Sequence, residues 1–142
     1  VFLVATANDI LSLPPELFRK GRFSEIFFVD LPVKEERREV IVQYAWQCLH
    51  FRLEEDLLAR LVELSEGFSY SDIEYVIKEI AETALREGDE AVTPDYMKSV
   101  FRRVIPFSQT NPDAVLKLRE WGSRRAVAAS YYEENEGGDH YE

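Results

Sequence analysis

Three side chains within the first 22 residues have the types and spacing to act on a phosphate. Asn8 follows the apolar run Val1-Phe2-Leu3-Val4-Ala5, so its amide is expected at the carboxyl end of a buried strand, where open α/β sheets bind ligands. Arg19 and Arg22 stand three apart around Gly21, with Lys20 between them, at the end of a short helical stretch. A guanidinium stays charged and donates in pairs from a planar fork, which matches the oxygens of a phosphate. Taken singly, Asn8 reads as a strand-terminating turn residue. Arg19, Lys20 and Arg22 read alone as a solvated basic turn that compensates a helix C-terminus. The string of strand, basic turn and strand gives the phosphate reading its weight.

The elements that must position these groups can be read from periodicity. Residues 1 to 5 are apolar without alternation, as in a strand buried on both faces of a parallel sheet, and Ile26-Phe27-Phe28-Val29 reads as a second such strand. Pro14-Pro15 opens a short helix that Gly21 stops. Two strands do not make an independent sheet, so the rest is expected upstream of Val1, where the chain opens in mid-run. From residue 34 the period becomes helical. Val40, Ile41, Tyr44, Ala45 and Cys48 form one apolar stripe, and Leu57, Leu58, Leu61 and Val62 form another. A third helix starts at Ser69-Tyr70-Ser71-Asp72 with a capping-box pattern, carries Ile73, Val76, Ile77, Ile80, Ala81, Ala84 and Leu85 as its apolar stripe and ends at Gly88, and a fourth starts at Thr93-Pro94 and carries Met97, Val100, Phe101 and Val104 inward. These four predict a compact bundle. Past Pro106 the pattern loosens before a weaker helix carrying Val115, Leu118 and Trp121, then Arg124-Arg125 and an acidic end from Tyr131 that is expected to be disordered.

Composition limits the partners. The 142 residues are 46% hydrophobic and 31% charged, and 27 acidic against 17 basic residues give a formal charge of −10, which disfavours nucleic acid and anionic membrane. No apolar run reaches the roughly 20 residues of a membrane span. The single Cys48 excludes an internal disulfide. It reads as a small core hydrophobe, and neither His50 nor His140 gives it a metal-binding context. The default compartment is cytosol-like.

The stretches Ala5-Thr6-Ala7-Asn8, Leu17-Phe18-Arg19-Lys20-Gly21-Arg22-Phe23 and Phe27-Phe28-Val29-Asp30-Leu31-Pro32 resemble the second region of homology of AAA+ ATPases. Gly67-Phe68-Ser69-Tyr70-Ser71-Asp72-Ile73 resembles the motif that opens the third helix of the family's lid. The phrasing is most similar to cyanobacterial and chloroplast-encoded AAA+ proteins. The resemblance implies a mainly α chain: the last two strands of an α/β P-loop NTPase domain (1–32), a four-helix lid bundle (33–105), a C-terminal extension with a helix (106–128) and a flexible acidic tail (129–142). It implies Asn8 as sensor 1, Arg19 and Arg22 as arginine fingers for a neighbouring subunit's nucleotide, and Tyr70 and Ser71 as lid residues touching the base. It also implies ATP and Mg2+ bound mainly by residues upstream of Val1, a hexameric ring of copies, a macromolecular client, and a cytoplasmic or plastid-stromal location.

Four positions depart from the family pattern. Ser24 stands for its aspartate, Tyr70 for its glycine, and Tyr44-Ala45 for its Ile-His pair. The six glycines never fall into the G-x-x-x-x-G-K-[ST] spacing of a phosphate loop. The chain alone is therefore expected to be inactive, with the loop upstream. A reading of another class is a non-catalytic helical interaction domain that docks through the Trp121 helix. A DNA-binding helical domain is a third, disfavoured by the charge.

Overall fold

The computed structural model describes residues 1–19 and 21–129. The described residues form two compact units, Leu31–Val115, and Val1–Asp30 together with those from Leu116 onward.

The Leu31–Val115 unit is helical. Its elements are α1 (Lys34–Leu49), α2 (Glu55–Leu64), α3 (Tyr70–Glu87), α4 (Pro94–Arg103) and the single turn α5 (Phe107–Thr110). The predicted stripes supply the core: Ile41 and Ala45 from α1, Leu58, Leu61 and Val62 from α2, Ile73, Val76, Ile77 and Ile80 from α3, and Met97, Val100 and Phe101 from α4 are buried, whereas Val40, Tyr44, Cys48, Leu57 and Val104 are half-buried at its margin and Leu85, expected on the α3 stripe, is exposed near the end of the helix. Phe68, in the turn before α3, completes this core and stacks on Phe101 with ring centroids 6.1 Å apart. Carboxylates occupy the first turns of α1 to α4, and Arg102 and Arg103 the last turn of α4, as the helix dipole favours. The expected start of α4 is present, with Thr93 Oγ1 accepting from the Tyr96 amide at 3.1 Å and Pro94 in the first turn. Cys48 is half-buried at the margin of the core. His50 ends α1 in the left-handed region at φ 60°, a position that usually falls to glycine or asparagine.

The other unit is built from short pieces. A 3-10 helix spans Pro15–Phe18, and β1 (Phe27–Phe28) pairs in parallel with β2 (Val127–Ala128), Phe27 opposite Val127. The helix α6 (Pro112–Arg125) leads into β2. Its Gly122 is buried under the Phe28 ring, its Trp121 meets Phe18 edge-on at 5.6 Å, and Arg119 Nε donates to both carboxylate oxygens of Asp30 at 2.9 Å.

Two expectations about strands are corrected here. The run Val1–Ala5 is not a strand: it lacks regular structure, and Val1 to Val4 are exposed, because no strand among the described residues lies beside it to accept its hydrogen bonds. The run at 26–29 forms only the two-residue β1, and its partner lies 100 residues later, in a segment whose sequence carries too little periodicity to announce a strand. Residues 130–142, including His140 and the acidic end, lie outside the described residues, as does Lys20.

A methyl group on Gly122 would lie 2.6 Å from Cγ of Phe28. Gly122→Ala should therefore loosen the β1–β2 pairing by about 1–3 kcal/mol, outweighing the roughly 1 kcal/mol helical preference for alanine. Faster amide exchange at Val127 and Ala129 would show it. Phe101→Ala should cost the helical unit about 3–5 kcal/mol in urea denaturation.

Candidate functional site

Within the unit that begins at Val1, Asn8 is exposed and outside any regular element. It immediately precedes a turn organised by Asp9, whose Oδ1 accepts from the amides of Leu11 at 3.1 Å and Ser12 at 3.3 Å. The arginines follow the 3-10 helix. Arg19 caps it, with its amide donating to the Glu16 carbonyl at 3.4 Å, and the Arg22 amide donates to the Arg19 carbonyl at 3.2 Å. Gly21, just before Arg22, has φ 92°, which a side chain would oppose. Arg19 and Arg22 are both exposed, and neither forms an ion pair among the described residues. Two exposed guanidinium forks close together in the chain, without an ion pair among the described residues, can bind an anionic group that approaches from solvent.

In the helical unit, Tyr70 and Ser71 are the first two residues of α3, Tyr70 half-buried and Ser71 exposed. The turn before them is tightly bonded. Ser69 Oγ accepts from the Asp72 amide at 3.1 Å, while Asp72 Oδ2 accepts from the Ser69 amide at 2.8 Å and the Ser69 hydroxyl at 2.9 Å. The same oxygen accepts from the Phe107 amide at 3.1 Å. Gly67 has φ 78°, its carbonyl accepts from Ser108 Oγ at 2.7 Å, and a Cβ there would lie 2.8 Å from that oxygen. The glycine, aromatic, serine and aspartate of the motif thus have separate physical duties: a left-handed turn, a core anchor, a cap and a hub. Tyr44, where the family pattern has isoleucine, is held above the ordinary tyrosine range, first by desolvation and then by the Glu74 carboxylate, which accepts its hydrogen bond. Glu74 in turn pairs with Lys78 at 2.6 Å.

One functional candidate escaped the sequence reading. Arg37 is half-buried, with Nη1 donating to the Pro32 carbonyl at 3.1 Å and Nε to Ser65 Oγ at 3.2 Å. Burial pulls its guanidinium below the ordinary arginine range, against the attraction of Glu66 and Glu35. The signal was available: Arg37 lies four residues before Ile41 and eight before Ala45, on the core-facing stripe of α1.

Among the described residues, no group of three or more His, Cys, Asp or Glu is placed to hold a metal ion, and no helix is long and apolar enough to cross a membrane.

Residues 54–99 match the AAA+ lid domain family, and the chain belongs to the AAA+ proteins through the C-terminal part of their module. Among individual relatives, it is 37% identical over 130 residues to an uncharacterised AAA domain-containing protein ycf46 of Trieres chinensis, covering 87% of this chain and 24% of that protein. It is 39% identical over 131 residues to the protein of the same name from Pyropia yezoensis, covering 92% of this chain and 26% of that protein. A proteasome-activating nucleotidase of Saccharolobus islandicus is 35% identical over 123 residues, covering 84% of this chain and 30% of that protein. The chain spans about a quarter of the length of the ycf46 relatives. No solved structure matches it.

Ser69→Ala should cost about 1 kcal/mol through the lost cap. Asp72→Ala should cost about 1–3 kcal/mol, because a charged acceptor of three hydrogen bonds is removed. Since the two share one network, the double variant should fall short of the sum in urea denaturation.

Proposed function

We propose that this chain supplies the C-terminal part of the ATP-hydrolysing machinery of an AAA+ protein, which assembles copies into a hexameric ring and couples hydrolysis to remodelling of a macromolecular client. In this reading residues 1–32 end the nucleotide-binding domain, 33–105 are the lid, 106–128 an extension and 129–142 a tail. The Arg19–Arg22 segment carries the reading: two exposed arginines, joined by a backbone hydrogen bond and flanking a positive-φ glycine, stand in the string that resembles the family's finger motif.

The residues present fit the phosphate end of such a site in part. Arg19 and Arg22 would donate to phosphate oxygens of nucleotide held by the adjoining subunit, and the Arg22 cation would stabilise the negative charge that grows as the phosphoryl group transfers. Asn8 would orient the attacking water with its amide. Tyr70 and Ser71 would touch the base from the start of α3. Mg2+, when bound, supplies charge neutralisation at the phosphates, and residues upstream of Val1 would hold both it and most of the ATP. A tyrosine in the glycine position narrows the base contact relative to the family pattern. By itself the chain is inactive. We place it in the cytoplasm, or in the plastid stroma if plastid-encoded. The reading as a helical docking domain gains nothing from Trp121, whose ring is engaged by Phe18.

Turnover of the intact protein provides the test. Arg22→Ala should lower the ATPase rate at saturating ATP by at least ~10³-fold, the lower end for a finger supplied in trans, while nucleotide affinity stays within a few-fold. An unchanged rate would remove Arg22 from the chemistry.

A further inference from the structure

The chain passes from one unit to the other at Asp30–Leu31. Just beyond this point Pro32 is buried, although it precedes the first helix, and its carbonyl oxygen accepts from Arg37 Nη1. Next along, the Val33 amide donates to Glu36 Oε2 at 3.0 Å. The first residues of the helical unit are therefore tied to α1 rather than left to swing.

Arg37 also has a second hold. Its Nε donates to the hydroxyl of Ser65, a fully buried residue at the end of α2. That hydroxyl donates onward to the Val62 carbonyl at 2.8 Å, so it is aligned as an acceptor for Arg37. The Ser65 carbonyl accepts from the Phe68 amide at 3.0 Å, and Phe68 leads directly into the Ser69 cap, Tyr70 and Ser71. A chain of short contacts thus runs from Pro32 through Arg37 and Ser65 to the turn that presents Tyr70 and Ser71. Arginine is the side chain able to make it, because two donors in fixed directions reach two acceptors on different segments. Lysine offers one point charge.

We infer that Arg37 is a positioning residue that couples the linker at Pro32 to the Gly67–Asp72 turn, so that the linker's path and the placement of Tyr70 and Ser71 are set together. The inference rests on the proposed nucleotide contact for its functional consequence, but the mechanical link stands on these contacts alone. A path of contacts becomes a coupling only when both ends respond to one perturbation.

The experiment uses the intact protein with Arg37→Lys, Ser65→Ala and the double variant, and two readouts. The first is amide exchange, without nucleotide, over residues 33–37 and 67–72, with α4 as an internal reference. Each single variant should raise exchange in both segments and leave α4 unchanged, and the double variant should add nothing further. Increased exchange confined to residues 33–37, or additive effects, would overturn the coupling. The Ser65→Ala arm decides the matter if Arg37→Lys does not fold. The second readout is the affinity of a fluorescent ATP analogue, which should weaken about fivefold in each single variant. Coupled exchange with unchanged affinity would overturn the link to nucleotide placement. If the wild-type protein does not bind the analogue, the nucleotide reading fails, and exchange alone still decides whether Arg37 couples the two segments.

Discussion

Phe68 is drawn into the core of the helical unit at a point where the chain has just left one helix and is about to begin another. Burying a large ring there removes its backbone neighbours from water, and each polar group must then find a partner within the protein. The structure meets this demand locally. Ser65 and Gly67 before the ring, and Ser69 and Asp72 after it, are all bonded, and the segment at Phe107–Ser108 returns to supply an amide and a hydroxyl. The orientation of α3, and with it the position of Tyr70 and Ser71, follows from this one burial. Arg37 extends the same network to the start of the unit.

Arginine serves two opposite ends in this chain. At position 37 a half-buried guanidinium is satisfied by neutral oxygens, and its desolvation is offset only in part by nearby glutamates. Such a group fixes geometry. At positions 19 and 22 the guanidiniums are exposed and form no ion pair among the described residues, which leaves their donors available to an incoming anion. The overall charge of −10 is no obstacle to this, because charge acts locally at short range and is screened over about 10 Å in ordinary salt.

Elements with strong local signals were legible in the sequence. The stripes of α1 to α4 supplied the core, apart from Leu85 at the exposed end of α3, and the caps at Ser69 and Thr93 formed with the expected geometry, since both depend on residues three positions apart. Long-range features were not. Nothing near Phe27 indicates that Val127 will pair with it, and nothing near Asp72 indicates a third hydrogen bond from Phe107. The left-handed end of α1 at His50 lacks the usual glycine or asparagine. The strand expected at Val1–Ala5 shows the converse: an apolar run specifies a strand only when neighbours are present to pair with it. For Asn8, Arg19 and Arg22, the sequence indicated the types and spacing. The structure adds that Arg19 and Arg22 are joined by a backbone hydrogen bond and flank a glycine whose φ a side chain would resist.

The central proposal is that Asn8 would act on nucleotide in its own subunit while Arg22 would act on that of a neighbour. Mixing two inactive forms of the intact protein tests this most directly: one with Asn8→Ala, the other with Arg22→Ala, each assayed alone and after subunit exchange. A mixed ring contains sites that pair an intact Asn8 with an intact Arg22 from the adjacent copy, so ATP hydrolysis should rise well above that of either parent. Activity that stays at the parental level after verified exchange would contradict the account.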